Sequence, residues 1–199
     1  MAGTSCTFIR LAGCPLACHY CDTPQAIPVD SGAPMTISDI LKQVASYAHS
    51  LVLVTGGEPL AQRNCIYLLD SLMNTGASVQ LETAGAHDIS NVPDGISIIM
   101  DIKTPDSGEV ARNRWQNIDH LKRNDEVKFV INSQNDYEWA KDVIHSKGIT
   151  ALNIPILFSP AWKRLEPATL VQWILTDQLP VKLQIQQHKY IWGAEKTGV

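Results

Sequence analysis

Short apolar runs alternate with helix-like stretches along the whole chain. Residues 6–11 read as a strand. Ile37, Ile40, Leu41 and Val44 share one face of a helix over 36–48 that Thr36 can cap. Leu51-Val52-Leu53-Val54 is a short buried strand, and a helix over roughly 61–74 stops at Gly76. Strands follow at 79–82, 96–101 and 126–131. A helix at 136–146 has Gly148 just past its end, and 151–155 reads as the next strand. Pro167 suits the first turn of a helix reaching about Thr176, and 181–186 is the last strand. Strands alternating with helices predict an α/β fold with a parallel sheet and crossover helices. Seven strands with four clear helices predict a partial barrel, a single domain over residues 1–199.

Polar and glycine residues gather where these strands end. The first strand runs into a cysteine loop, the second into Thr55-Gly56-Gly57-Glu58-Pro59, and the third into Glu82-Thr83-Ala84-Gly85. Asp101-Ile102-Lys103, Asn132-Ser133-Gln134 and Gln187-His188-Lys189 close later strands. The carboxyl end of a parallel sheet is where such folds build their sites.

Composition narrows the class. The chain is 45% hydrophobic and 18% charged with a net charge of -4, ordinary for a globular protein and a poor match to a nucleic-acid coat or an anionic-membrane binder. No apolar run reaches bilayer length, and MAGTSCTFIR has no charged segment followed by an apolar one. The expected setting is cytoplasmic, with no nucleic-acid or membrane partner. Five cysteines, three of them clustered, suit metal chemistry in a reducing compartment better than disulfides.

The cluster is Gly13-Cys14-Pro15-Leu16-Ala17-Cys18-His19-Tyr20-Cys21-Asp22-Thr23-Pro24, with spacing C-x3-C-x2-C. Structural zinc would want a fourth ligand, from His19, Cys6 or Asp22, and His19 is badly placed between two cysteines. Three thiolates on a four-iron cluster leave one iron open to an external ligand. Cys65, beside Ile66, and Cys6, alternating with Phe8, read as packing residues.

The C-x3-C-x2-C loop resembles the signature of the radical S-adenosylmethionine superfamily, and Thr55-Gly56-Gly57-Glu58-Pro59 resembles its glycine-glycine-glutamate motif. Phe8-Ile9-Arg10-Leu11-Ala12-Gly13-Cys14, the Cys21-Asp22-Thr23 tail, Asp101-Ile102-Lys103 and Gln187-His188-Lys189-Tyr190-Ile191-Trp192-Gly193 together resemble the 7-carboxy-7-deazaguanine synthase family, from about Gly3 onward. The resemblance implies a lyase of queuosine and deazapurine biosynthesis. It would contract the ring of 6-carboxy-5,6,7,8-tetrahydropterin with loss of ammonia, using a 4Fe-4S cluster, S-adenosyl-L-methionine and Mg2+. It also implies a flavodoxin- or ferredoxin-type electron donor and a homodimer.

Residue roles follow from the same resemblance. Cys14, Cys18 and Cys21 would hold the cluster. Tyr20, Asp22, Gly56, Gly57, Glu58, Thr83, Asp101 and Lys103 would line the S-adenosylmethionine site, with the two glycines letting backbone approach its methionine part. Arg10 would pair with the substrate carboxylate, Thr55 and His188 would contact the substrate, and Thr23 would give its hydroxyl to Mg2+.

Members of the family carry an earlier first strand and a Gln-Gly-Glu-Gly signature, whereas this chain starts at Met1-Ala2-Gly3-Thr4. The expectation is a truncated reading of a longer gene, with an exposed strand edge and weakened substrate binding. The terminal carboxylate of Val199 is a further candidate for the substrate pocket. Competing readings are a glycyl-radical-enzyme activase, a zinc-bound interaction module without activity, and an inactive paralogue that still binds a cluster.

Overall fold

The computed structural model describes residues 3–196, so Val199 lies outside the described residues. Seven strands form one parallel sheet in strictly sequential order: β1 (Thr7–Leu11), β2 (Leu51–Gly56), β3 (Ser78–Thr83), β4 (Ser97–Ile102), β5 (Glu126–Ile131), β6 (Ile156–Pro160) and β7 (Lys182–Leu183). Helices α1 (Ile37–Ala45), α2 (Cys65–Met73), α3 (Gln134–Ser146) and α4 (Pro167–Thr176) fill the crossovers β1–β2, β2–β3, β5–β6 and β6–β7. The expected partial α/β barrel, seven strands with four crossover helices, is what the chain forms.

Local chemistry starts these helices. The Thr36 hydroxyl accepts from Asp39 N at 3.1 Å and donates to the Asp39 carboxylate at 2.7 Å, capping α1. Such a cap contributes about 1 kcal/mol. Ser133, expected only as a strand tail, caps α3 by accepting from Asp136 N. Pro167 occupies the first turn of α4, where its missing N–H costs nothing. The β3–β4 and β4–β5 connections have no α-helix. Buried Asn117 ties them together, donating to the carbonyls of Gly85 (3.0 Å) and His87 (2.7 Å).

Sequential strand order puts every crossover on one side of the sheet, so the two faces differ. Val52, Val54, Leu81, Ile98, Met100, Phe129 and Phe158 point into the core against the helices. Phe158 meets Phe129 and Tyr137 edge-on at 5.6 and 5.8 Å. Side chains one residue out of phase form the other face. In register across it stand Arg10 with Thr55, and Asp101 with Lys128. Gln80 and Glu82 of β3 lie between those pairs. This polar face is the inner wall of the partial barrel.

Three sequence expectations need correction. The strand placed at 151–155 is instead a 3-10 turn, Ile149–Leu152, and the strand is Ile156–Pro160. Gly148 and Asn153 both take left-handed backbone (φ 63° and 53°), which turns the chain before Pro155 and delays pairing. The last strand is two residues, not six, and Gln187–Trp192 forms a short helix, α5, where a loop was expected. The helix placed at 61–74 begins at Cys65, because Pro59–Ala61 forms a separate 3-10 turn.

Candidate active site

The cysteine loop leaves β1 at Leu11 and is sewn to the end of β2. Gly57 N donates to Leu11 O (2.8 Å) and Glu58 N to Gly13 O (2.9 Å). Gly13 N and Cys14 N donate to the carbonyls of Ala26 and Ile27. A Cβ at Gly57 would lie 2.7 Å from Ala26 O and closer still to the Gly13 carbonyl, and one at Gly56 would overlap the Leu11 backbone. The glycine pair is therefore required by the seam between β2 and the cysteine loop. The approach to the cofactor expected from the sequence is a separate demand on the same two glycines.

Glu58 is fully buried. Its carboxylate accepts from Leu60 N (2.9 Å), Thr83 Oγ1 (2.8 Å) and Ala84 N (2.7 Å). Glu58 and Thr83, both expected at the cofactor, thus form a buried clasp between the ends of β2 and β3, and the Glu58 oxygens face protein donors.

Cys14, Cys18 and Cys21 are free thiols, Cys21 exposed and the other two half-buried. Among the described residues no three of His, Cys, Asp or Glu converge closely enough to enclose a single metal ion. Three thiols in one loop are the donor set of a four-iron cluster that leaves one iron open. Burial pushes the Cys18 thiol up to about 11, with Lys103 pulling it down and Asp101, Cys21 and Glu109 adding to the rise. Iron reverses this, because a coordinating thiol loses its proton outright. Cys65 is core, as expected, and half-buried Cys6 precedes β1.

Beside Cys18 the inner wall carries a buried ion pair, Lys103 Nζ to Asp101 Oδ2 at 3.1 Å. Burial alone would lower the Lys103 ammonium, but Asp101, Cys18 and Tyr20 outweigh it and hold it charged above its usual range. Asp101 Oδ1 is buried with no hydrogen-bond partner. An orphaned carboxylate oxygen next to the cysteine loop fits a ligand that brings hydroxyl or amino donors. The Tyr20 hydroxyl meets Thr104 Oγ1 (3.1 Å) and Val130 O (3.4 Å), pinning the loop over this pair.

At the mouth, Arg10 reaches Thr23 Oγ1 at 3.5 Å, and that hydroxyl donates to Asp22 Oδ1 at 2.9 Å. Burial would raise the Asp22 carboxyl, but Lys128, the Thr23 hydroxyl, Lys189 and Arg10 hold it below its usual value. The Gln186 amide donates to the other Asp22 oxygen. His188, on α5, comes back to this corner. Its imidazole lies below its usual 6.5 through burial, then Lys189 and Arg10, against an opposing pull from Asp22. Nearly buried Thr55 sits between these groups and the wall.

The structure thus brings Arg10, Asp22, Thr23 and His188 together from distant parts of the chain. It also adds Lys128, Glu82 and Gln186, which sequence reasoning missed. Lys128 Nζ donates to Glu82 Oε1 at 2.7 Å in the middle of the inner wall. For Lys128 the signal is a charge set between apolar neighbours inside a strand, Val127-Lys128-Phe129. Behind Gln186 a cavity of about 250 Å³ opens between Trp162, Leu165, Pro167, Ile185 and Tyr190.

A cluster-binding loop at the carboxyl end of a parallel partial barrel defines a class, and the comparisons agree with it. The radical SAM superfamily profile matches residues 8–158. Streptococcus suis SuiB bound to precursor peptide SuiA superposes with a TM-score of 0.62 at 12% identity, over 91% of this chain and 48% of that one. SuiB bound to S-adenosylmethionine gives 0.59 at 14% identity, over 90% of this chain and 46% of the other. Those likenesses concern the fold.

Sequence relatives are more specific. The 7-carboxy-7-deazaguanine synthase of Chlorobaculum tepidum is 42% identical over all of this chain and 90% of its own length. Those of Koribacter versatilis and Clostridium acetobutylicum are each 36% identical, over 99% and 100% of this chain and 92% of theirs. The chain belongs to the 7-carboxy-7-deazaguanine synthase family of radical S-adenosylmethionine enzymes. Its cofactors are a 4Fe-4S cluster and S-adenosylmethionine.

Proposed function

We propose that the inner wall and mouth described above contract the ring of 6-carboxy-5,6,7,8-tetrahydropterin to 7-carboxy-7-deazaguanine, with loss of ammonia. The observation that supports this reading is the return of the chain to the first crossover at the start of α5, where the Gln186 amide, two residues before His188, donates to Asp22 beside Thr23 and Arg10. A lone cysteine loop would serve any radical SAM reaction. A cationic corner at the mouth, facing a polar wall, suits a flat, hydrogen-bonding heterocycle that bears a carboxylate.

When bound, the cluster and S-adenosylmethionine would supply the one-electron chemistry that starts the reaction by hydrogen abstraction. The chain's own residues bind and orient. Cys14, Cys18 and Cys21 would hold iron, while Asp101 Oδ1 would accept from a hydroxyl or amino group of the cofactor and the Lys103 ammonium would face its carboxylate. Arg10 pairs with the substrate carboxylate through charge-assisted hydrogen bonds. Burial and Lys189 lower the His188 imidazole, favouring its neutral form, which can donate and accept. Thr55 hydrogen-bonds the pterin.

Thr23, with Asp22 beside it, offers oxygen to Mg2+, an ion that favours such ligands. A flavodoxin- or ferredoxin-type reductant, a homodimer and a cytoplasmic setting complete the reading. The five free thiols support the last of these.

The test is anaerobic reconstitution with iron and sulfide, followed by reductant, Mg2+, S-adenosylmethionine and the pterin. Mass spectrometry should find 7-carboxy-7-deazaguanine over many turnovers. 5′-Deoxyadenosine without that product would refute the substrate and leave the radical chemistry standing. A Cys18→Ala chain should bind no cluster and cleave no cofactor.

A further inference from the structure

The cysteine loop is gripped from outside by the turn after Lys103. The Ala17 amide donates to Glu109 Oε1 at 2.8 Å, across 92 residues of sequence. His19 N donates to Ser107 O at 3.0 Å, and Glu109 N donates to Ser107 Oγ at 3.0 Å. The His19 ring fills the space where a side chain at position 108 would go, and Arg164 donates to His19 O at 3.3 Å. The grip has one carboxylate in it, and that carboxylate takes an amide immediately before a cluster cysteine.

Amides flanking a cluster cysteine are the usual donors to cluster sulfur. Such hydrogen bonds, with local net charge, set the reduction potential. Each sulfur bond removed, and each negative charge added, makes the cluster harder to reduce and the reduced cluster a stronger reductant. Cleaving a sulfonium reductively demands a strong reductant. Lys103, charged beside Cys18, pulls in the opposite direction, with Asp101 partly offsetting it.

We propose that Glu109 is a positioning residue for the cluster. It fixes the cysteine loop through Ala17, keeps that amide away from cluster sulfur, and holds the cluster at a lower potential than a neutral residue would. The inference rests on the cluster reading above and adds a residue that carries no motif signature.

The experiment compares the full chain with Glu109→Gln and Glu109→Ala. Glutamine keeps an acceptor for Ala17 and removes the charge. In the metal-free proteins, hydrogen exchange should show the Ala17 amide protected in the parent chain and in Glu109→Gln, and unprotected in Glu109→Ala. After reconstitution, iron content should match between the parent and Glu109→Gln. An EPR-monitored redox titration should then find the Glu109→Gln midpoint displaced positive. The expected size is roughly a tenfold change in the reduced-to-oxidised ratio at a fixed potential, about 59 mV for one electron. Equal midpoints at equal iron content would overturn the tuning role and leave a plain loop cap. Loss of iron in Glu109→Gln would overturn it too, by showing that the charge is needed for assembly. A parent chain that binds no iron would instead refute the cluster reading itself.

Discussion

Arg10 stands at the end of β1 with its guanidinium exposed and its nearest polar neighbour, Thr23 Oγ1, at a weak 3.5 Å. No salt bridge holds it among the described residues. A cation free at the mouth is available to a carboxylate ligand. A charge-assisted hydrogen bond contributes about 1.5–3 kcal/mol, so Arg10→Ala should weaken substrate binding about 10- to 100-fold. Cluster content and 5′-deoxyadenosine formation should be retained. Steady-state kinetics beside an iron assay checks this, and an unchanged KM would refute the pairing. Glu58 behaves differently because both its oxygens face donors. Glu58→Gln puts an amide N–H₂ against at least one of those donors in a fully buried site. The expected loss is about 1–3 kcal/mol of folding stability, read by urea unfolding of the metal-free protein. Unaltered stability would mean that the clasp is replaceable.

At the scale of elements, the seam between β2 and the cysteine loop transmits fold to site. Gly57→Ala must push against backbone on two sides, the Gly13 and Ala26 carbonyls, and backbone cannot swing aside as a side chain can. An overpacking cost of about 1–3 kcal/mol is expected, together with reduced iron uptake, since the displaced loop carries Cys14. Normal iron content in a destabilised Gly57→Ala chain would show that the seam supports the fold alone. Most elements were legible because their signals are local. Thr36 and Pro167 mark helix starts, and apolar runs mark β2 through β5. β6 was misplaced because apolar Ala151, Leu152 and Ile154 also read as a short strand, and the left-handed turn at Asn153 depends on its tertiary setting. The site was half legible for a similar reason. Cys14, Cys18, Cys21, Arg10 and His188 sit in recognisable strings, whereas Glu82 and Lys128 gain meaning only once the sheet register sets them on the inner wall, and Gln186 only once the chain before α5 meets Asp22.

Across the whole molecule, one wall of a parallel sheet is apolar and the other collects charge, so stability should depend strongly on pH. Asp22, Glu82, Asp88, Asp94, Asp106, Asp177 and Asp39 all lie below their usual values, Glu82 chiefly through Lys128. Asp125 and Asp136, raised mainly by burial, work the other way. His188 also lies low. A group depressed in the folded state contributes stability that is fully present above its unfolded value. That stability is lost as pH falls through the folded value. For His188 the loss begins below 6.5, and for the carboxylates below about 3.8–4.5. Lys103 and Lys128, held above 10.5, keep their contribution well into the alkaline range. The urea midpoint of the metal-free, reduced protein should therefore fall modestly between pH 7 and 5.5 and steeply near pH 4. His188→Gln should flatten the first segment and leave the second, because the second belongs to carboxylates spread over the molecule. A His188→Gln chain whose midpoint falls between pH 7 and 5.5 as much as the parent's would show that the imidazole is not the group lost in that range.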